Sequence, residues 1–531
     1  MSDTRAPLIP DGGLSRREFL RLTGVAVGAT ALGGIPELAE TVKAAPAEAK
    51  RGGALRLGNT ADVISFEPYA VSDNVSIWTM LLMYDQLTRP TTNGLSIEPS
   101  LAQSWDISNG GKTYTFHLRK GIKFHDGTPL TAADVKFCVE RAAFAKNTQW
   151  AFILASLKGM EVMDSHTVRA HLNKPHAPFL SDMALFATSV YPARLFHHMG
   201  SKLWQHPIGT GPFKFQSWKR GSEIILARNP HFWRTTRQPY VDTFHNMVVG
   251  DANTRVLQVQ SGELDIALFV PPAQAKAMQG NPNVAIHLDN FMDSHFAPID
   301  VTKALFKDKR VRQALNYAID KETIVKKVLF GYAVPSGQAL PAMWGADPSI
   351  KAYPYDPNKA RALLKAAGHS HGMSFKLLVD AAQESDKEIA TLMQEQLAKV
   401  GVKTQIEVLE EATEIQVSES KKYDVNIGYM TSDIIDPDEL VSFAMAGNGG
   451  TDSIWSYYNN PRVNQLAAQA AGEPSRTKRL HLYYEIDRIH HDDAPMIFLY
   501  RLPSITMTTS KVAGFKVLPT GNYRLEEAWL K

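Results

Sequence analysis

The chain has 531 residues, 44% of them hydrophobic and 21% charged, an ordinary composition for a folded protein with apolar material for several cores; at roughly 150 residues per domain it predicts two to four domains. A net charge of +3 without a run of five like charges gives no footing for binding nucleic acid or an anionic membrane. The single cysteine, Cys138, rules out an intramolecular disulfide.

At the N-terminus, Arg16 and Arg17 precede an apolar run from Leu22 to Ile35 that is interrupted by Gly24, Gly28, Gly33 and Gly34. A bilayer span needs about 20 apolar residues, so this run reads as the h-region of a leader. Ser15-Arg16-Arg17-Glu18-Phe19-Leu20 resembles a twin-arginine (Tat) export signal. Ala45-Pro46-Ala47 has the form of a cleavage site, which predicts a Tat-type signal peptide over residues 1–47 and a mature chain from Glu48. The leader holds five basic and five acidic residues, so the mature charge stays at +3. No cysteine follows the h-region to carry a lipid, and no other long apolar run is present. The expected product is periplasmic, exported and without a membrane anchor.

The stretch from Asn109 to Phe137 contains two patterns that suggest chemistry. Gly111-Lys112-Thr113 hints at a phosphate loop, but that motif requires a glycine at 106, where the chain has Asp106. Alternation of Tyr114, Phe116 and Leu118 with Thr115 and His117 predicts a half-buried strand over Thr113–Leu118 instead. Arg119-Lys120-Gly121 turns the chain, Ile122 and Phe124 alternate again, and His125-Asp126-Gly127 reads as a second turn, not a catalytic pair. Thr131 is then an N-cap with Asp134 at the capping-box position. Val135, Cys138, Val139 and Ala142 follow on one helical face, making Cys138 a small buried hydrophobe.

Later elements follow the same local rules. Gly209-Thr210-Gly211-Pro212 is a turn before Phe213 and Phe215. Leu264 to Phe269 is a short apolar strand after the Ser261-Gly262 break. Val311, Leu315, Ala318 and Ile319 form a helical stripe, and Asp356 caps a helix with Pro357 at its first position. A helix over Glu388–Val400 and a strand over Val402–Ile406 form a further pair, and Val425–Tyr429 reads as a strand. Helix and strand signals alternate throughout, which predicts α/β domains.

The segment Ser100–Arg141 resembles the signature of the family 5 solute-binding proteins of ABC importers, the dipeptide/oligopeptide type. Ile208–Trp233, Asp251–Ala267, Lys307–Pro335 and Tyr355–Gly368 resemble further segments of that family, in family order. The resemblance implies an α/β, hinged, two-lobed periplasmic-binding-protein fold of type II, in its large cluster with an extra subdomain. By that resemblance lobe I covers 48–274 with the subdomain inserted at about 90–190, the chain crosses near Pro271-Pro272, lobe II covers 275–498, and residues 499–531 return to lobe I. It also implies a monomeric, non-enzymatic component that captures a peptide or amine-bearing molecule between closing lobes. Its partner would be a permease of two membrane subunits with two ATPases.

The resemblance places the ligand in the cleft, with Asp433 in the strand-end motif that holds an α-amino group in peptide-binding relatives. One extra residue separates Gly428 from Asp433 here, and the alternative role for Asp433 is a helix cap or turn. Further wall residues would be Ser72 and Asn74 in the loop after Pro68, with Tyr429 and Trp455 stacking on ligand groups. Relatives that clamp a dipeptide carboxylate carry an arginine where this chain has Asp380, Ala381 and Ala382. A longer peptide, an amino-acid derivative, an opine, an oligosaccharide or a nickel or haem complex therefore stays open. No cofactor and no metal site is expected: the acids around Asp433 lack the EF-type spacing, and adjacent histidines such as His490-His491 point apart on a helix. An exported hydrolase is the rival class, but H-E-x-x-H is absent.

Overall fold

The structure, a computed structural model, describes residues 49–381, 384–447 and 454–531. The expected signal peptide, residues 1–47, lies outside them.

The first lobe is built on a seven-stranded sheet in the order Val284–Asp289, Ser504–Thr509, Ile266–Ala267, Ala54–Asn59, Thr243–Val248, Glu223–Arg228 and Phe213–Lys219. Ala54–Asn59 is parallel to both its neighbours, and the outer pairs are antiparallel. Leu55, Leu57, Phe213 and Phe244 are wholly buried beneath it. The apolar strand expected over Leu264–Phe269 shrinks to Ile266–Ala267 because Phe269 turns to φ 52°, outside the extended region.

Inserted into this lobe is a four-stranded antiparallel sheet, Ala102–Ser108, Thr113–Leu118, Thr167–Leu172 and Leu157–Asp164, backed by the helix Ala132–Phe144. Tyr114, Phe116 and Leu118 are buried as their alternation predicts. The Thr131 amide donates to Asp134 Oδ2 at 2.9 Å, closing the capping box. Val135, Cys138, Val139 and Ala142 face the core. The Cys138 thiol donates to the Tyr191 carbonyl at 3.3 Å, and burial pushes its titration well above the ordinary thiol range. It is a packing residue, not a nucleophile. Ile122 and Phe124 are buried too, but between them Lys123 makes only an isolated bridge to Pro129.

The Gly209-Thr210-Gly211-Pro212 turn needs its glycines for close approach. A Cβ at Gly209 would lie 2.1 Å from the Met83 carbonyl oxygen, and one at Gly211 would lie 2.6 Å from Met83 C.

The second lobe contains two sheets. One runs Val334–Pro335, Met496–Arg501, Asp293–Pro298, Gly428–Thr431, and the other is the parallel trio Val402–Leu409, Met373–Asp380, Val425–Asn426. Helices Lys309–Ala318, Pro357–Ala366, Glu384–Ala398, Pro461–Gly472 and Arg476–Asp493 cover them. Asp356 caps as expected, accepting from the Lys359 amide at 2.9 Å. The strand expected over Val425–Tyr429 is divided. Its first part joins the parallel sheet, its second the antiparallel one, and at the switch Ile427 donates to the Leu378 carbonyl at 3.0 Å.

The chain passes between the two lobes at residues 290–292 and again at 502–503. Val284–Asp289 pairs along its length with Ser504–Thr509 in the first lobe, whereas Asp293–Pro298 pairs with Met496–Arg501 in the second. The passage expected at Pro271-Pro272 is therefore corrected to a later position. Pro272 opens the helix Pro272–Met278, whose missing amide donor costs nothing at a first turn. That helix packs Ala275 against Ile505 and Met507 of the first lobe. The return expected at 499 moves to 502 because Met496–Arg501 continues in the second lobe. The two passages are tied together: the Leu502 amide donates to Asp293 Oδ1 at 3.3 Å.

Candidate functional site

A cavity lies at the meeting of the lobes. From the first lobe it is lined by Ile77 and Trp78 of the helix Asn74–Met80, by the stretch from Leu81 to Pro90, by Phe186 and by Thr520 to Glu526. From the second lobe it is lined by Asp433. About 60 Å³ of it admits water-sized molecules, within some 700 Å³ of non-atom space that includes open solvent.

Asp433 is placed by its own loop. Behind it the wholly buried Glu439 accepts from the Ser432 hydroxyl at 2.9 Å, from the Asp433 amide at 3.0 Å and from the Ile434 amide at 3.0 Å. These bonds turn the chain sharply after the strand Gly428–Thr431 and present Asp433 to the cleft. Burial pushes the Asp433 carboxyl up to about 7, and among the described residues no cation draws it back. The Glu439 carboxyl is raised further, by burial and by Asp433 beside it. Two carboxyls in one dry loop titrate as a pair, and both forms would be relieved by a cation arriving from the cavity.

Next to this loop is a closed charge network that joins the inserted subdomain to the second lobe. Arg479 grips Asp436 with two bonds, Nη1 to Oδ2 at 2.9 Å and Nη2 to Oδ1 at 2.5 Å. It also donates to the Tyr483 hydroxyl at 2.7 Å and to the Ala470 carbonyl at 3.1 Å. In the subdomain, His176 Nε2 meets Asp182 Oδ2 at 2.8 Å. Asp438 completes the group, with burial pushing its carboxyl up to about 6. The Ala177 amide donates across to the Ala471 carbonyl at 2.7 Å, and Phe152 stacks on Phe443 at 6.1 Å. Of the acids after Asp433, Asp436 is thus ion-paired and Glu439 is hydrogen-bonded within the loop, and among the described residues no group of three or more metal-binding side chains converges.

Of the expected site residues, Asp433 lines the cavity and the others stand elsewhere in the described residues. Ser72 is exposed. Asn74 opens the helix Asn74–Met80 behind its N-cap Asp73, at the far end from Trp78. Tyr429 lies on the surface of the second lobe, 42% exposed, with its ring over His295 at 5.6 Å. Trp455 sits in a positive-φ turn (65°) whose carbonyl accepts from the Tyr423 hydroxyl. The residues that share the cavity with Asp433, notably Trp78, Tyr84, Arg89, Tyr523 and Arg524, carry no local motif. They meet only because the C-terminal segment folds back beside the helix Asn74–Met80. One trace of this is visible in Gly521, at φ 83°, where a Cβ would lie 2.4 Å from the Trp78 ring.

Comparison with known proteins agrees with this architecture. The chain is 30% identical over 494 residues to the glutathione-binding protein GsiB of Pectobacterium atrosepticum, covering 91% of this chain and 95% of that one. It is 31% identical over 467 residues to heme-binding protein A of Haemophilus influenzae, covering 83% and 85%. The structure matches the periplasmic binding protein DppA from Helicobacter pylori in complex with the peptide STSA with a TM-score of 0.83 at 28% identity, over 91% of this chain and 98% of that one. The family model for bacterial extracellular solute-binding proteins, family 5, matches residues 96–452. On this evidence the chain belongs to that family and is a substrate-binding protein of an ABC transporter.

Proposed function

We propose that this chain captures a peptide or other amine-bearing small molecule between its lobes, leaves it chemically unchanged, and delivers it to a membrane permease worked by two ATPases. The observation that carries the reading is Asp433: a carboxyl held in the interlobe cavity, raised by burial and without a compensating cation among the described residues. An ammonium entering the closed cleft forms charge-assisted hydrogen bonds to it, worth roughly 1.5–3 kcal/mol each. A neutral analogue leaves the carboxyl unpaired and is rejected. Glutathione and a short peptide, the ligands named for two of the relatives, are both ammonium-bearing. Closure of hinged lobes on the ligand then distinguishes loaded from empty protein at the permease. We place this event in the periplasm, reached through the twin-arginine leader of residues 1–47.

Calorimetry on the chain from Glu48 onward tests the reading, with glutathione and the tetrapeptide Ser-Thr-Ser-Ala as free amines and as N-acetyl derivatives. The free amines are expected to bind, while N-acetylation or Asp433→Asn weakens binding by about tenfold to a hundredfold. Equal affinities for the acetylated forms would overturn the role of Asp433. Recovery of altered ligand from the cell would overturn capture without chemistry.

A further inference from the structure

Among the residues that line the cavity with Asp433, three hydrogen-bond donors are buried without an acceptor. Trp78 and Tyr523 are each 1% exposed, yet the Trp78 indole Nε1 and the Tyr523 hydroxyl find no partner among the described residues. Nη1 of Arg524 is likewise without a hydrogen bond, its nearest carboxylate oxygen being Glu98 Oε1 at 3.6 Å. All three residues line the cavity. Buried donors of this kind are nearly always satisfied, and an orphan calls for a partner. An indole N–H and a guanidinium can only donate, so the missing partner is an acceptor.

The charges around these donors select an anionic acceptor. Arg89 is committed to Glu98 at 2.6 Å and stands 4.0 Å from Glu526. Asp85 is committed to the Thr210 hydroxyl at 2.7 Å and the Trp233 indole at 2.9 Å. Arg524 donates to the Pro90 carbonyl and shares Glu98 with Arg89 at a longer distance, so its charge is the less compensated of the two. Burial, and then Arg89 nearby, pulls its guanidinium down to about 9, against the opposing pull of Glu526 and Glu98. Asp433 and Arg524 both line this one cavity.

We infer that Trp78, Tyr523 and Arg524 form a carboxylate subsite, so that the ligand is a zwitterion whose ammonium meets Asp433 and whose carboxylate meets these three donors. The carboxylate takes one bond from each donor and neutralises the guanidinium. This inference rests on the amine reading for the other end of the ligand. It also explains how an acidic ligand is held although Asp380, Ala381 and Ala382 occupy the positions where relatives have an arginine clamp.

The test uses matched forms of three compounds: glutathione, Ser-Thr-Ser-Ala and Met-Leu, each as the free acid, the carboxyl amide and the N-acetyl acid. Binding is measured by calorimetry on the mature chain, its Tyr523→Phe and Arg524→Gln variants, and Asp433→Asn. At least one free acid is expected to bind, with its amide weaker by tenfold to a hundredfold. The penalty for amidation should shrink at least threefold in Tyr523→Phe and nearly vanish in Arg524→Gln, because the lost anion then has less to meet. Tyr523→Phe keeps the ring and is expected to keep the thermal midpoint, which separates loss of the subsite from misfolding. An amide that binds the wild type as well as its acid, an undiminished amidation penalty in both variants, or no binding by any free acid would each overturn the subsite. If N-acetylation and Asp433→Asn have no effect while amidation does, the ammonium reading fails and the carboxylate subsite survives.

Discussion

Replacing Arg479 by methionine removes the cation from the Asp436 network while preserving most of the side-chain volume. The residue is 6% exposed and its partner 7%, so solvent cannot screen the loss. The Asp436 carboxylate forfeits both guanidinium bonds and is left beside Asp438 and the Tyr483 hydroxyl. Breaking a buried pair from one side typically costs about 3–5 kcal/mol. The Ala470 carbonyl, at the end of the helix Pro461–Gly472, also loses the guanidinium bond, though it keeps the Glu473 amide at 3.3 Å, which adds up to about 1 kcal/mol. A total near 4–6 kcal/mol is expected. The double variant Arg479→Met/Asp436→Leu removes both charges and should recover at least about 2 kcal/mol of that loss, because an apolar replacement of a whole buried pair is often neutral. Urea denaturation of the wild type, both singles and the double, followed by circular dichroism, measures the cycle. A cost below about 1 kcal/mol for Arg479→Met, or a double variant no more stable than that single one, would refute the view that the pair is held by mutual compensation.

The raised Asp433 carboxyl gives a pH dependence of defined sign. Its folded value of about 7 lies above an ordinary aspartate near 4, so between about pH 4 and 7 the folded chain binds more protons than the unfolded one, and this group makes stability fall as pH rises. Asp433→Asn should therefore gain about 2–4 kcal/mol relative to wild type on going from pH 5 to pH 8, read from denaturation midpoints; an unchanged difference would remove the buried-carboxyl account. Gly211→Ala drives a Cβ into the Met83 backbone and should cost about 2–4 kcal/mol. Gly221→Ala, at φ 69° with open space around it, should cost only about 1–2 kcal/mol, and equal costs would deny the close approach. Finally, Arg16→Lys with Arg17→Lys should leave the full-length precursor in the cytoplasm on fractionation, whereas continued export would point to the general secretory route.

Much of the fold was legible because its signals are local. Thr131 and Asp134 sit three residues apart and close a capping box, and the alternation over Thr113–Leu118 records one buried face. The division of Val425–Tyr429 between two sheets was not legible, since each half is a good strand and only the neighbours differ. The passages between lobes were hidden for the same reason: the partner of Val284–Asp289 lies at Ser504–Thr509, more than 200 residues on, while the Pro271-Pro272 break is loud but local. Asp433 was reachable through its place at a strand end. Trp78, Tyr523 and Arg524 were not, because nothing in sequence spacing marks three donors brought together by the return of the C-terminal segment.

The bond from the Leu502 amide to Asp293 makes neighbours of the two ribbons that join the lobes. Two adjacent, mutually fastened pivots permit swing about one line and resist sliding or twist. The mouth of the cleft can therefore gape while its inner end scarcely moves, so a solute must enter and leave from the side farthest from Asp293. Loosening that single fastening would add a wobble to the jaw without touching any residue that meets the cargo.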